Sequence, residues 1–316
     1  MAEKKVLVIA GATGAQGGGL ARTVLRDSGS PFHVRAITRN VGGEKAKELA
    51  RQGAEIVAAN FDDLESLKRA FRGAHAAYCM TNYWEHFSPE RELTQASNLA
   101  TAAKAANLEH VIWSTLEDTR KWVPLSDGRM PTLQAKYKVP HFDVKGEANG
   151  FFSSLGVPAT FLLTSFYWEN LIYFGMGPKP GPDRVLAITM PMGHKKLPSI
   201  AVEDIGKCAY GIFQRGGDYI GKTVGIAGGH PTGKEMAAAL SKALGKEVRY
   251  QDVPAAVYRG FGFPGADDLG NMFQFKHDFN EYYCGVRDLV ESRALNPALQ
   301  SLDTWLARNK ERIPTA

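Results

Sequence analysis

Val6-Leu7-Val8-Ile9-Ala10 runs directly into Gly11-Ala12-Thr13-Gly14-Ala15-Gln16-Gly17, and this junction decides the fold. An unbroken apolar run without alternation reads as a strand covered on both faces, the habit of parallel sheets. Gly11 permits a tight turn. Gly14 removes the side chain where backbone approaches a ligand, and Gly17 lets a helix pack close against the strand. The helix expected from about Gly17 to Ser28 then turns its free N–H groups and its positive dipole end toward that turn. Spaced glycines alone mark only a turn. A strand before them and a helix after them make a phosphate cradle for a dinucleotide.

Working outward, strands are expected at His33–Thr38, Glu55–Asn60, Ala74–Met80, His110–Ser114 and Pro158–Leu163. Helices are expected at Glu44–Gln52, Leu64–Phe71, Glu90–Asn107 and Pro140–Ser154 between them. Regular alternation of this kind predicts an α/β fold, a Rossmann-type doubly wound parallel sheet. From Glu117 to Val139 the chain is polar and irregular, and Gly175–Pro182 is too rich in glycine and proline for a helix. Val202–Arg215 reads as helix and Val224–Ala227 as strand. Thr232 and Glu235 form a capping box for a helix over Lys234–Leu244, and Ala298–Asn309 is an amphipathic end segment. The expected division is a Rossmann domain over 1–165 with 199–228. A smaller, mostly helical substrate or lid lobe takes 166–198 and 229–316.

At 316 residues, 44% apolar and 22% charged, the composition is that of an ordinary globular protein with a real core. The net charge of +5 is dispersed without basic runs, which argues against a nucleic-acid partner. Cys79, Cys208 and Cys284 lie far apart and lack zinc or redox spacing, so buried free thiols and no metal are expected. The apolar run behind Met1-Ala2-Glu3-Lys4-Lys5 is too short for a secretory h-region. No stretch approaches the roughly 18–20 apolar residues of a membrane helix. A cytoplasmic protein is expected.

The end of the second strand selects the dinucleotide. An acid there would hold a ribose 2′-hydroxyl, as in NAD enzymes. Thr38-Arg39-Asn40 has none, and a guanidinium suits a 2′-phosphate, so the cofactor is expected to be NADP(H). Asp62 could accept the adenine amino group, and Asp63 could cap the next helix. At the carboxyl ends of the fourth and fifth strands stand Thr81, Asn82 and Tyr83, and Ser114 and Thr115. Ligands of such sheets bind at that edge. Their hydroxyls could face the nicotinamide ribose or the substrate, or cap helices.

The triple-spaced glycine loop resembles that of extended and atypical short-chain dehydrogenase/reductases. Val139-Pro140-His141-Phe142-Asp143-Val144-Lys145-Gly146-Glu147 narrows the resemblance. Taken with the opening loop, Tyr78–Trp84, Trp113-Ser114-Thr115 and Gly262-Phe263-Pro264-Gly265, it resembles the NmrA-like family over essentially the whole chain. The resemblance implies an NADP(H)-binding atypical short-chain dehydrogenase/reductase fold. It also implies two kinds of relative, reductases and redox sensors that restrain regulatory partners.

Active short-chain dehydrogenases carry Tyr-x-x-x-Lys on the helix after the fifth strand. Here the matching place reads His141-x-x-x-Lys145, with both residues on one helical face. By position, Lys145 would hold the nicotinamide ribose. Lys145 could instead be a solvated helix lysine. His141 could donate a proton near neutral pH or be a structural or capping group, with Ser114 as the third catalytic candidate. Without the tyrosine, reduction of an iminium or a polarised conjugated bond is easier than that of a ketone, because less alkoxide charge develops.

Ser165–Phe174 follows the sixth strand and carries five aromatics within nine positions. Phe166, Tyr167, Trp168 and Tyr83, with Trp113 and Trp122, could form a pocket for a flat hydrophobic ligand, or simply core. Glu169 could pair with a basic amine or be only a surface acid. Three readings follow: an NADP(H)-dependent oxidoreductase, an NADPH-sensing regulator acting through a protein partner, and an NADP(H)-bound pocket that templates isomerisation or cyclisation.

Overall fold

Lys5–Ile9 forms β1, and Leu7, Val8 and Ile9 are fully buried, as an internal parallel strand requires. The structure is a computed structural model describing residues 4–315; Met1–Glu3, on which part of the leader argument rests, lie outside the described residues. The chain continues through α1 (Ala15–Arg26), β2 (Phe32–Thr38), α2 (Glu44–Arg51), β3 (Glu55–Ala58), α3 (Leu64–Phe71) and β4 (Ala76–Cys79). There follow α4 (Pro89–Ala105), β5 (His110–Thr115), α5 (Pro140–Ser154) and β6 (Ala159–Leu163). The seven-stranded sheet runs β3-β2-β1-β4-β5-β6 and ends on Thr223–Gly225. β1 pairs in parallel with both β2 and β4, and the remaining pairings among β2 to β6 are parallel as well. The strand order reverses between β1 and β4, the crevice where doubly wound sheets bind ligands.

Two close approaches hold α1 in place. A Cβ at Gly17 would lie 2.6 Å from the Gly11 carbonyl oxygen, and one at Gly206, on the helix Val202–Arg215, 2.2 Å from the Leu20 nitrogen. Beneath the sheet, Trp113 stacks on Phe152 at 5.0 Å within a core that includes Val8, Ile37, Leu67, Phe71, Leu99 and Val111. Trp113 is therefore core, with no exposed surface for a ligand.

The chain divides into two compact units: 1–118, 141–164 and 203–224 in the first, and 119–140, 165–202 and 225–316 in the second. The segment 119–140, expected in the first domain, falls in the second. There Asn271 donates from Nδ2 to the Pro131 and Lys138 carbonyls at 2.9 and 2.5 Å. The capping box at Thr232 and Glu235 opens the helix Gly233–Leu244. The second unit is not purely helical. Leu186–Met190 pairs in parallel with Val248–Asp252, and Phe166–Tyr167 with Ser199–Ile200. Both pairings are non-local and short, so periodicity within either segment could not announce them.

Candidate functional site

The loop Gly11–Gly17 closes on itself through the Gly14 N–H, which donates to the Gly11 carbonyl at 2.8 Å. Gly11 has φ +66°, and a Cβ there would also press on Met80 Sδ at 2.8 Å. α1 begins with Gly14 as its extended cap; no side chain caps it and its first turn holds no acid. A helix start bare of carboxylates leaves its donors and positive end for a phosphate. Gly14 and Ala15 are exposed and Thr13 is half-buried, while Gln16 faces inward. Its amide oxygen accepts from the Tyr78 hydroxyl at 2.5 Å and from Ser114 Oγ at 2.8 Å. The loop is thus tied to β4 and β5, and Ser114 spends its proton on that tie.

Arg39 stands at the end of β2, its side chain 59% exposed, and donates from Nη1 to Glu85 Oε1 at 2.5 Å. An exposed ion pair contributes roughly 0–1 kcal/mol, so a phosphate offering charged, forked hydrogen bonds can displace it. Asp62 has its own partners: Arg91 donates from Nε and Nη2 at 3.2 and 2.6 Å, and Gln95 from Nε2 at 2.9 Å. The Arg91 hydrogen bond holds its carboxyl below the usual carboxylate range. Asp63 caps α3, accepting from the Glu65 and Ser66 amides.

Lys145 lies on α5 against β4. Its neighbour Gly146 makes this possible, because a Cβ there would come within 2.4 Å of the Asp118 nitrogen. All three ammonium protons are engaged: Thr81 O at 2.9 Å, Thr81 Oγ1 at 2.9 Å and Glu92 Oε1 at 2.6 Å. Thr81 Oγ1 in turn donates to Glu92 Oε1 at 2.6 Å. Glu92 is completely buried in the first turn of α4. Burial pushes its carboxyl up, but the Lys145 charge, the nearby His86 ring and the hydrogen bonds from Lys145 and Thr81 prevail and hold it at about 2. Lys145, expected to reach a ribose, is therefore half of a largely shielded ion pair with no net charge. Thr115 is also internally engaged, its hydroxyl lying within hydrogen-bond reach of the Leu116 and Lys145 carbonyls and of Asn149 Oδ1.

His86 extends this cluster. The Ser88 amide donates to its Nδ1 at 3.1 Å, which leaves the proton of a neutral ring on Nε2. That nitrogen stands 3.3 Å from Glu92 Oε2, close enough for charge to matter yet out of line for a hydrogen bond. His141 is buried among rings, 4.6 Å from Trp84 and 6.2 Å from Tyr83. Tyr83 is buried in the same group, and Asn82 is exposed.

Glu92, His86, Glu85 and Arg91 were not foreseen. Ser88-Pro89-Glu90-Arg91-Glu92 reads as a helix start with favourable acids, and nothing local distinguishes Glu92 from Glu90. The aromatic segment in the second unit departs from a pocket wall. Trp168 is fully buried and donates from Nε1 to Ser199 Oγ at 2.8 Å. Glu169 accepts from the Val202 amide and from Trp305 Nε1, both at 2.9 Å, so it holds structure rather than awaiting an amine. Phe166 is buried, Tyr167 is half-buried, and Trp122 packs on Phe275 and Tyr282.

Comparisons with known proteins agree with this fold. The chain is 26% identical over 294 residues to the NmrA-like family domain-containing oxidoreductase lnbB of Aspergillus flavus, covering 90% of this chain and 87% of that one. Its fold matches NmrA, a negative transcriptional regulator solved in complex with NADP, with a TM-score of 0.76 at 23% identity over 96% of this chain and 94% of that one. It also matches the Citrobacter sp. triphenylmethane reductase complexed with NADP(H), with a TM-score of 0.74 at 21% identity over 96% and 99%. The family model of the NmrA-like family spans residues 3–306, and the chain belongs to that family.

Proposed function

We propose that this chain is a cytoplasmic NADP(H)-dependent oxidoreductase reducing a hydrophobic small molecule, with an iminium, enone or ketone as the acceptor. The observation that carries the reading is the bare α1 start behind Gly11–Gly17, with Arg39 in place of an acid at the end of β2. The loop fits a diphosphate because any Cβ at Gly17 would fill the turn. Gly11, Gly14, Ala15 and the α1 amides would hold the diphosphate, and Arg39 the 2′-phosphate. Bound NADPH would supply a hydride. The names of lnbB and of the triphenylmethane reductase favour turnover.

The residues around Lys145 favour particular acceptors. Glu92 neutralises the ammonium and no tyrosine accompanies it, so this edge offers little to stabilise a developing alkoxide. Acceptors already cationic or conjugated need less. His141 is the candidate proton donor where one is required. Lys145 acts by fixing β4 against α4 and α5.

A second reading, an NADPH-binding regulator without turnover, draws on the full engagement of Lys145 and on the fold shared with NmrA. NADPH consumption across a panel of iminium, enone and ketone compounds, followed by loss of nicotinamide absorbance, tests the first. Consumption with an iminium or enone ahead of any ketone is expected. NADPH binding without consumption by any member overturns turnover and leaves the regulator.

A further inference from the structure

A pocket of about 410 Å³ opens among residues that all belong to the second unit. Arg259 is its most built feature. The stem lies against Gly270, where a Cβ would come within 2.4 Å of Arg259 Cγ. The head is pinned through Nη1, which donates to Asn271 Oδ1 at 3.1 Å and Gln274 Oε1 at 2.8 Å. Both acceptors are neutral, and both are anchored: Asn271 to the Pro131 and Lys138 carbonyls, Gln274 to the Arg129 carbonyl. Among the described residues no carboxylate pairs with Arg259, and its Nε and Nη2 atoms have no hydrogen-bond partner.

The other basic side chains of the pocket have partners of their own. Arg129 forks onto Asp127, and the His277 ring meets Asp278 at 2.9 Å. Asp252 is the complement of Arg259. Its Oδ1 accepts from the Gly193 amide at 2.8 Å and the Tyr250 hydroxyl at 3.1 Å, while Oδ2 has no hydrogen bond. Pro191, Val253 and Pro254 add apolar surface to the lining.

A half-buried guanidinium with a donor edge open to solvent offers an anion a charged fork, and its planar geometry suits a carboxylate. An open carboxylate oxygen in the same pocket suits an ammonium. We propose that this pocket binds an amino-carboxylate, a free amino acid or a whole dipeptide whose two ends carry the two charges. Arg259 takes the carboxylate, Asp252 takes the ammonium, and the apolar lining takes an aliphatic side chain. Arg259 is half-buried and Asp252 exposed, so Arg259 contributes more of the affinity.

Titration of the ¹⁵N-labelled full chain with L-leucine, N-acetyl-L-leucine, L-leucinamide and Leu-Leu, read by amide shifts, tests this without a dinucleotide. Leucine or Leu-Leu should bind; the tighter of the two identifies the free amino acid or the dipeptide. Leucinamide, lacking the carboxylate, should be weakened about tenfold and N-acetylleucine about threefold. Arg259→Gln and Arg259→Lys should each weaken the best probe about tenfold, since lysine keeps the charge but loses the fork. Arg249→Gln, at an exposed arginine paired with Glu247 and Asp183, should change nothing. Absence of binding by all four probes overturns the proposal, as does equal binding by both Arg259 variants and the parent chain.

Discussion

The two ends of the same sheet edge are built on opposite plans. At the β1–α1 end, donors are left open: Gly14 caps α1 without a side chain, and Arg39 has only an exposed partner. At the β4–α5 end, every donor of Lys145 is consumed, and its partner Glu92 has no exposed surface. An open end binds a ligand by completing its hydrogen bonds, whereas a closed end shapes the site by holding its walls. The difference explains why a chain can keep a dinucleotide cradle while lacking the usual tyrosine.

The closed end should break hardest. Lys145→Met leaves Glu92 buried without a counter-ion and should destabilise the fold by about 3–5 kcal/mol in denaturant unfolding. Lys145→Met with Glu92→Leu should recover most of that loss, since an apolar pair of similar volume replaces an ion pair. A single variant as stable as the parent would mean that the pair is not closed off from water.

At the open end, Gly17→Ala places a methyl 2.6 Å from a backbone oxygen that cannot swing away. A loss of about 1–3 kcal/mol is expected, together with a drop in dinucleotide affinity of tenfold or more. If affinity falls with no change in stability, the glycine serves the ligand alone.

Acid probes the buried titratable groups of the first unit, Glu92 at the closed end and His110 at the amino-terminal start of β5. Burial holds His110 at about 4, below its ordinary 6.5, with the His75 charge adding to the effect. The folded state takes up this proton less readily than the unfolded chain, so stability falls as pH drops from 6.5 toward 4. Glu92, held at about 2 against an ordinary 4.5, stabilises the fold above 4.5 and loses that contribution as pH falls from 4.5 toward 2. Each step is worth on the order of 3 kcal/mol. Unfolding midpoints measured across this range should decline in both windows, and His110→Gln should flatten only the upper one.

The smallest effect belongs to the exposed pair. Glu85→Gln releases Arg39 and should tighten NADPH by no more than about fivefold, with NADH unchanged, by calorimetry. A weakened NADPH complex would mean that Glu85 orients Arg39 rather than competing for it.

What the sequence made legible follows the same line. The cradle was readable because turn, strand and helix are adjacent and each glycine has a local reason. The helix Val202–Arg215 and the Thr232 capping box were readable for the same cause. Glu92 and His86 were not, because their meaning depends on Lys145, more than fifty residues away along the chain. For the converse reason, the sequence leaves Trp168 open between core and pocket, and Glu169 between an amine partner and a surface acid. An aromatic run shows hydrophobic content, but only the packing against Ser199, Val202 and Trp305 shows that the run is satisfied internally. The strand pair Leu186–Met190 and Val248–Asp252 was hidden by its sequence separation.

The central claim is that the open end was shaped for a 2′-phosphorylated dinucleotide, and calorimetric titration of the parent chain and Arg39→Asp with NADPH and NADH tests it most directly. The parent should prefer NADPH, and Arg39→Asp should weaken NADPH by about 10- to 100-fold while changing NADH little. Equal losses for both dinucleotides, or no binding of either by the parent, would contradict it.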